Sequence, residues 1–491
     1  MPYRQYDQNI VFLLPPSLDE WITKDHPVRV FSEILERIDI GGFREAKVEG
    51  RPAYHPRMML KILLWGYASG IRSSRKMEAK LQTDVAFMWL AALEKPDFRT
   101  ICLFRTANRA LIEKVFAEVV LLARALGMGK LGLIALDGTK IQANAGVDSF
   151  KKVEDWREAL KKAKEEVSRI LSEAEATDRE EDSIYGKEKQ GEELPEGLKK
   201  SVERVKKIEK ILKEAERLGK QDESRISSTD AEASFMHRKN GSIPAYNAQA
   251  AVTEDQLIIY AEVTTEPVDV NQLKSALEGI EKLAEERPKT IVADAGYTGG
   301  GNLELLETKG IDGYIPESGE KNIGKIKESR PELFRKEDFR YDEEKNLYIC
   351  PAGQEMRPVA NSTIKTKYSK KHITTYRTAR GLCSTCGNNH KCTTNKKSGR
   401  AITRDGYEEY RQKMRKKLNT EEGRKIYGKR KILVEPVFGQ MKIVEGLTQF
   451  LLRGIEKIRI EWNVGAVAHN LLKITRRIIE GKVILANAPC T

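Results

Sequence analysis

Over the first 129 residues, apolar positions recur at helical spacing. Val28 to Ile38 is one such stretch. Pro56 opens a second, with Met58, Met59, Leu60, Leu63, Leu64 and Tyr67 following, because proline is favoured in the first turn of a helix. A third runs from Ile101 to Leu126 through Phe104, Leu111, Val115, Val119 and Leu122. The pattern changes at Leu131. The apolar run to Leu136 reads as a buried strand ending at Asp137, and Gly138 to Asn144 reads as a turn into a second strand. Val153, Trp156, Leu160, Ala163, Val167 and Ile170 then recur at spacings of three and four, as do Leu198, Val202, Val205, Ile208, Leu212 and Ala215. Two such seams predict an antiparallel coiled-coil hairpin, broken by the acidic stretch Asp178 to Gly197. The alternative, a solvated unstructured insert, leaves the seams unexplained. From Tyr246 strand patterns return over Ala248–Thr253, Leu257–Thr264, Thr290–Asp294 and Gly310–Pro316. Helical patterns lie between them, over Asn271–Ala284 and from Leu303, which implies an α/β core. The chain closes in helices, including Trp462–Ile479.

Composition adds scale and a partner. The 491 residues, 40% of them hydrophobic, exceed one ordinary domain. The expected organisation is a helical, candidate DNA-binding unit (1–129), the start of an α/β core (130–149), the hairpin (150–226), the core continued (227–340), a cysteine-rich insert (341–399) and a C-terminal helical part of the core (400–491). The formal net charge of +13 favours a polyanion, since each neutralised phosphate releases counterions. Arg72, Arg75, Lys76 and Lys80 form a basic stretch that suits DNA or a solvated face equally. Met1 to Ile10 lacks the apolar segment of a signal peptide, and no apolar run approaches the ~20 residues of a membrane span. The expectation is a cytoplasmic protein without a membrane partner.

Two acids stand out. Asp137 and Asp294 each follow an apolar strand and precede a glycine-containing turn, which would point them into the crevice at a sheet edge. Such neighbouring carboxylates repel unless a cation lies between them, and Mg²⁺ prefers carboxylate oxygen. A third acid, Glu435, lies among Tyr427, Arg430, Lys431 and Lys442. Glu435 and Lys442 are seven residues apart and would share one helical face, two turns or roughly 10.5 Å along the axis. Pro436 should then lie in the first helical turn or kink the helix.

Five segments carry a resemblance: Ala135-Leu-Asp137-Gly-Thr, Val292-Ala-Asp294-Ala-Gly-Tyr297, Tyr427 to Lys442, Gly50 to Arg57 and Gly241 to Gln249. Taken together in their order along the chain, they resemble the DDE-type insertion-sequence transposases of bacterial mobile elements. Arg430 lies one residue further from Glu435 than the family's arginine, and Lys431 sits at the family distance, so both stand as candidate DNA contacts with Tyr427 and Lys442. The resemblance implies an RNase H-like mixed-sheet core in which Asp137, Asp294 and Glu435 bind two Mg²⁺ or Mn²⁺ ions. It implies cleavage and strand transfer at the ends of an element on double-stranded DNA, by a homodimer associated with the nucleoid. A stand-alone metal-dependent nuclease and a silent transposase-derived DNA-binding protein are the alternatives.

The six cysteines are uneven. Cys102 and Cys490 stand alone, whereas Cys350, Cys383, Cys386 and Cys392 cluster around one C-x-x-C and suit tetrahedral Zn²⁺, with His390 as an alternative fourth ligand to Cys392. Lys365, Lys367, Lys370, Lys371, Arg377 and Arg380 surround them.

Overall fold

The computed structural model describes residues 17–41, 52–185, 196–238, 241–317, 334–365, 370–393 and 399–485. Met1 to Ile10, Gly50, Arg51, Lys367 and Cys490 lie outside them, as do the side chains of Asp178 to Glu196, Lys370 and Lys371.

The first two helices start by the same device. α1 (Pro27–Arg37) and α2 (Pro56–Ala68) open on proline, and the preceding His26 and His55 are extended. A residue before proline is driven to that conformation, which is the one a helix N-cap requires. Each histidine ring accepts the backbone N–H two residues on. α3 (Ser74–Thr83) and α4 (Val85–Leu90) follow. The pattern from Ile101 to Leu126 forms two helices, α5 (Phe98–Ala107) and α6 (Arg109–Ala125). Asn108 leaves helical geometry, and its side-chain amide donates to the Phe104 carbonyl at 2.7 Å, closing the end of α5.

The central sheet contains β1 (Leu133–Gln142), β4 (Ser234–Arg238), β5 (Gly241–Thr253), β6 (Ile258–Thr264), β7 (Thr290–Ala293) and β8 (Asp312–Tyr314). Its order is β4-β5-β1-β7-β8, with β6 also on β5. β1 runs antiparallel to β5 and parallel to β7, and β7 parallel to β8. This corrects the turn expected at Gly138. β1 passes straight through it, because β5 pairs with every residue from Ile134 to Gln142. Asp137 is therefore a mid-strand residue, whereas Asp294 does end its strand. α9 (Gln272–Ala284) joins β6 to β7, and α10 (Gly300–Thr308) joins β7 to β8.

Between β1 and β4, the two-stranded ribbon β2 (Phe150–Lys152) and β3 (Arg225–Ser227) carries α7 (Val153–Tyr185) and α8 (Glu196–Arg217). These helices run antiparallel: Val153 packs in one cluster with Ile211 and Ala215, and Lys164 pairs with Glu209 at 2.9 Å. A five-stranded sheet, β9 (Arg340–Asp342), β10 (Leu347–Ile349), β11 (Glu355–Lys365), β12 (Lys370–Arg377) and β13 (Ile402–Arg404), holds the cysteines and has its own small core. It extends past the expected boundary at 399.

α11 (Glu408–Asn419), α12 (Glu421–Ile443) and α13 (Ile455–Ile479) complete the chain. α13 packs on β6 and against α1, α2 and α6, so the N-terminal helices and the sheet share one continuous core. Two of its buried side chains bond the backbone of the sheet. Asn470 exchanges two hydrogen bonds with the backbone of Ile258, and Trp462 donates to the Gln249 carbonyl at 3.1 Å.

Pro436 lies deep inside α12, not in its first turn. Proline cannot bond the carbonyl four residues back, here Ile432. Gln256, in the β5–β6 turn, donates its side-chain amide to that carbonyl at 3.0 Å. The same residue accepts from Lys473 at 2.7 Å, and its carbonyl lies 3.0 Å from the His469 ring. One turn residue thus ties α12 and α13 to the sheet. Gln256→Ala should cost about 1 kcal/mol in urea unfolding, the net worth of such a bond. Pro436→Ala, which restores the missing N–H, should remove most of that cost in the double variant. Additive effects of the two changes would contradict this pairing.

Candidate active site

α12 lies along β1, β5 and β7 and puts two of its bases over β1. Residues two apart on a strand face the same way, and Asp137 and Thr139 both meet α12. The Arg430 guanidinium donates to Asp137 Oδ2 at 2.6 Å, and Lys442 donates to the Thr139 hydroxyl. Arg430 also reaches towards Glu435, 4.0 Å from its Oε1. Arg430 and Asp137 are each only 15% exposed, whereas Glu435 is 58% exposed. Lys431 points to solvent, so Arg430 is the base that faces the carboxylates. Tyr427 packs one turn before it, half-buried, and burial pushes its hydroxyl pKa up.

Asp294 comes beside Asp137 through the parallel pairing of β1 and β7, in which Leu136 is opposite Ala293. It caps the short turn Ala295–Tyr297, accepting the Gly296 N–H at 2.8 Å. Burial pushes Asp137 up to about 6; Arg430 opposes this, while Asp294 and Asp269 add to it. Burial pulls Arg430 down, but Asp137, Tyr427 and Asp294 outweigh it and hold the guanidinium charged. Burial also lowers Lys442, with Arg238 adding to it and Asp137 opposing it.

A polar group on the other face of β1 escaped sequence reasoning. Asp269 accepts from Asn247 at 2.7 Å and from Gln249 at 2.8 Å, with Lys140 at 3.5 Å. Tyr297 is wholly buried and donates to the Gln249 side chain, which is a packing role. The alternation Tyr246-Asn247-Ala248-Gln249 carried the signal. Polar residues at period two in a strand buried on both faces require a polar partner.

Cys350, Cys383, Cys386 and Cys392 line one cavity with Phe334, Phe339, Met356 and Arg400. His390 is exposed and does not line it. The described cysteines form no disulfide. As they stand, no three His, Cys, Asp or Glu side chains among the described residues are grouped closely enough to hold a metal ion.

The basic stretch after α2 is largely engaged internally. Arg72 pairs with the buried Glu461 at 2.9 Å, Arg75 stacks over Phe98 and Lys80 pairs with Asp84. No helix among the described residues is long and apolar enough to cross a membrane.

The raised proton affinity of Asp137 has a stability consequence. The folded chain binds this proton more tightly than the unfolded chain, so ionising Asp137 costs stability. The cost is complete above pH 6 and vanishes as pH falls below the unfolded carboxylate range. At one pKa unit per ~1.4 kcal/mol it amounts to at most about 3 kcal/mol. In EDTA, Asp137→Asn should therefore be more stable than the parent at pH 8, and the two should converge near pH 4. Urea unfolding across this range checks it; a parent chain more stable than the variant at pH 8 would contradict it.

Two family models match the chain. "Transposase domain (DUF772)" covers residues 16–107, and "Transposase DDE domain" covers residues 349–475. No curated protein matches. The second match contains Glu435, Arg430, Lys442 and the four clustered cysteines, while Asp137 and Asp294 lie outside both. Transposase DDE domains generally use divalent metal ions. A transposase model near each end of the chain supports its identification as a DDE-type insertion-sequence transposase.

Proposed function

We propose that this chain is a DNA transposase that cuts the ends of its element and joins them to target DNA, using Asp137, Asp294 and Glu435 to hold two Mg²⁺ or Mn²⁺ ions. The observation that carries the reading is the placement of Arg430. Its guanidinium reaches Asp137 at 2.6 Å and Glu435 at 4.0 Å, so both carboxylates face one space that accepts a cation. Oxygen donors at the meeting point of β1, β7 and α12 suit a hard divalent ion. Bound there, two such ions supply an activated water or 3′-hydroxyl and stabilise the leaving oxygen. Arg430 now holds Asp137 and would have to leave it for the carboxylates to hold metal. Once released, Arg430 would pair with a DNA phosphate, with Lys442 and Tyr427 as the further DNA contacts of this reading.

The sheet order supports an RNase H-like core: three antiparallel strands ending in β1, with β7 and β8 added parallel to it. The paired helices α7 and α8 serve as a coiled-coil arm, and the partner is double-stranded DNA in the cytoplasm, bound by a homodimer that brings two element ends together. The four cysteines around one cavity support a structural Zn²⁺ site. The small core of Phe339, Tyr348, Met356, Tyr376 and Ile402 is the kind that a metal reinforces. Zinc content of the purified chain tests this part.

Asp137→Asn should abolish cleavage of DNA carrying the element ends while leaving its binding intact. The parent chain should also join a pre-cut 3′ end to target DNA in Mg²⁺. Wild-type cleavage by the variant would defeat the carboxylate assignment, and cleavage without joining in the parent would identify a nuclease.

A further inference from the structure

A fourth carboxylate borders this site. Asp269 lies between β6 and α9, and its two oxygens do different things. Oδ1 is fixed: it accepts from Asn247 at 2.7 Å and Gln249 at 2.8 Å and faces the Lys140 ammonium at 3.5 Å. Asn247 and Gln249 are fully buried and stand opposite Lys140 and Gly138 in the β1–β5 register. Gly138 has no room for a side chain because this group fills it. A Cβ there would lie 2.4 Å from the Gln249 amide nitrogen, 2.7 Å from Asp269 Oδ1 and 3.0 Å from Asn247 Oδ1. That last oxygen is buried and accepts no hydrogen bond, so an acceptor is left over beside the acids.

Oδ2 of Asp269 faces Asp294. A Cβ on Gly296 would sit 3.0 Å from Asp269 Oδ2 and 2.9 Å from Asp294 Oδ1. Asp294 Oδ1 accepts the Gly296 N–H at 2.8 Å, and Asp269 Oδ2 borders the same small space that glycine leaves open. Such oxygens repel when nothing positive lies between them, and Lys140 is held on the Oδ1 side.

We propose that Asp269 is a positioning residue of the divalent-ion site, with Oδ2 sharing with Asp294 the hydration shell of the bound ion while Asn247, Gln249 and Lys140 fix Oδ1. This rests on the reading of Asp137, Asp294 and Glu435 as metal carboxylates. Outer-shell partners of this kind are worth roughly 10–100-fold in metal affinity.

The test is Mn²⁺ binding to the full chain, read from the free aqua-ion signal in electron paramagnetic resonance. Asp269→Asn keeps an acceptor for the two amides and turns Oδ2 into a donor. It should weaken Mn²⁺ binding about 10-fold or more, with an unchanged thermal midpoint. The defect should persist in the double variant Asp269→Asn, Lys140→Met. Wild-type affinity in Asp269→Asn overturns the proposal. So does recovery in the double variant, which would make Asp269 only a counter-charge for Lys140. If Asp269→Asn unfolds, Gly296→Ala puts a methyl between the two oxygens and should weaken Mn²⁺ equally; unchanged affinity there overturns the proposal. Loss of binding in Asp137→Asn without loss in Asp269→Asn rejects Asp269 alone. A parent chain that binds no Mn²⁺ rejects the underlying three-carboxylate reading as well.

Discussion

The pairing of β1 with two different neighbours is the constraint on which the site depends. β5 holds one edge of β1 antiparallel over nearly its whole length, and β7 holds the other edge parallel. Paired with β5 on both sides of Gly138, β1 does not bend there, and Asp137 is fixed within the ladder. Parallel β7 ends one residue before Asp294 and so delivers that acid beside Asp137 across the strand boundary. Because strand residues alternate between faces, Asp137 and Thr139 meet α12 while Gly138 and Lys140 meet the Asp269 group. One strand therefore supplies both layers of the site.

α12 is the second requirement, and its sequence argues against itself. Glu435 precedes a proline in the middle of the helix. The backbone is nonetheless helical there because tertiary contacts compensate. Gln256 satisfies the carbonyl that Pro436 cannot reach, and Val434, Val437 and Met441 bury the helix face around it. The bond that answers Pro436 comes from a turn 180 residues away in the chain, so no local rule could have anticipated it.

Legibility in the sequence followed locality. The helix start at Pro56 was readable because capping is decided by neighbouring residues. The paired helices α7 and α8 were readable from periodicity. Asp294 was readable as a strand end, but Asp137 was not recognised as mid-strand, since Asp-Gly is a turn signal that β5 overrides. Arg72 looked like a surface base, yet its partner Glu461 lies nearly four hundred residues on, within the buried face of α13. Asp269 was missed because it sits in a connecting segment without periodicity, and only the buried amides of Asn247 and Gln249 betray it. The choice between Arg430 and Lys431 likewise needed the orientation of α12 against the sheet.

The central claim is that acids from β1, β7 and α12 share one divalent-ion site. Iron-directed scission of the polypeptide tests it most directly. With Fe²⁺ in place of Mg²⁺ and ascorbate and peroxide added, hydroxyl radicals cut the backbone beside the bound ion. The account predicts cuts near residues 137, 294 and 435 together, all suppressed by excess Mg²⁺. Cuts confined to other segments, or at one of the three positions without the other two, would contradict it.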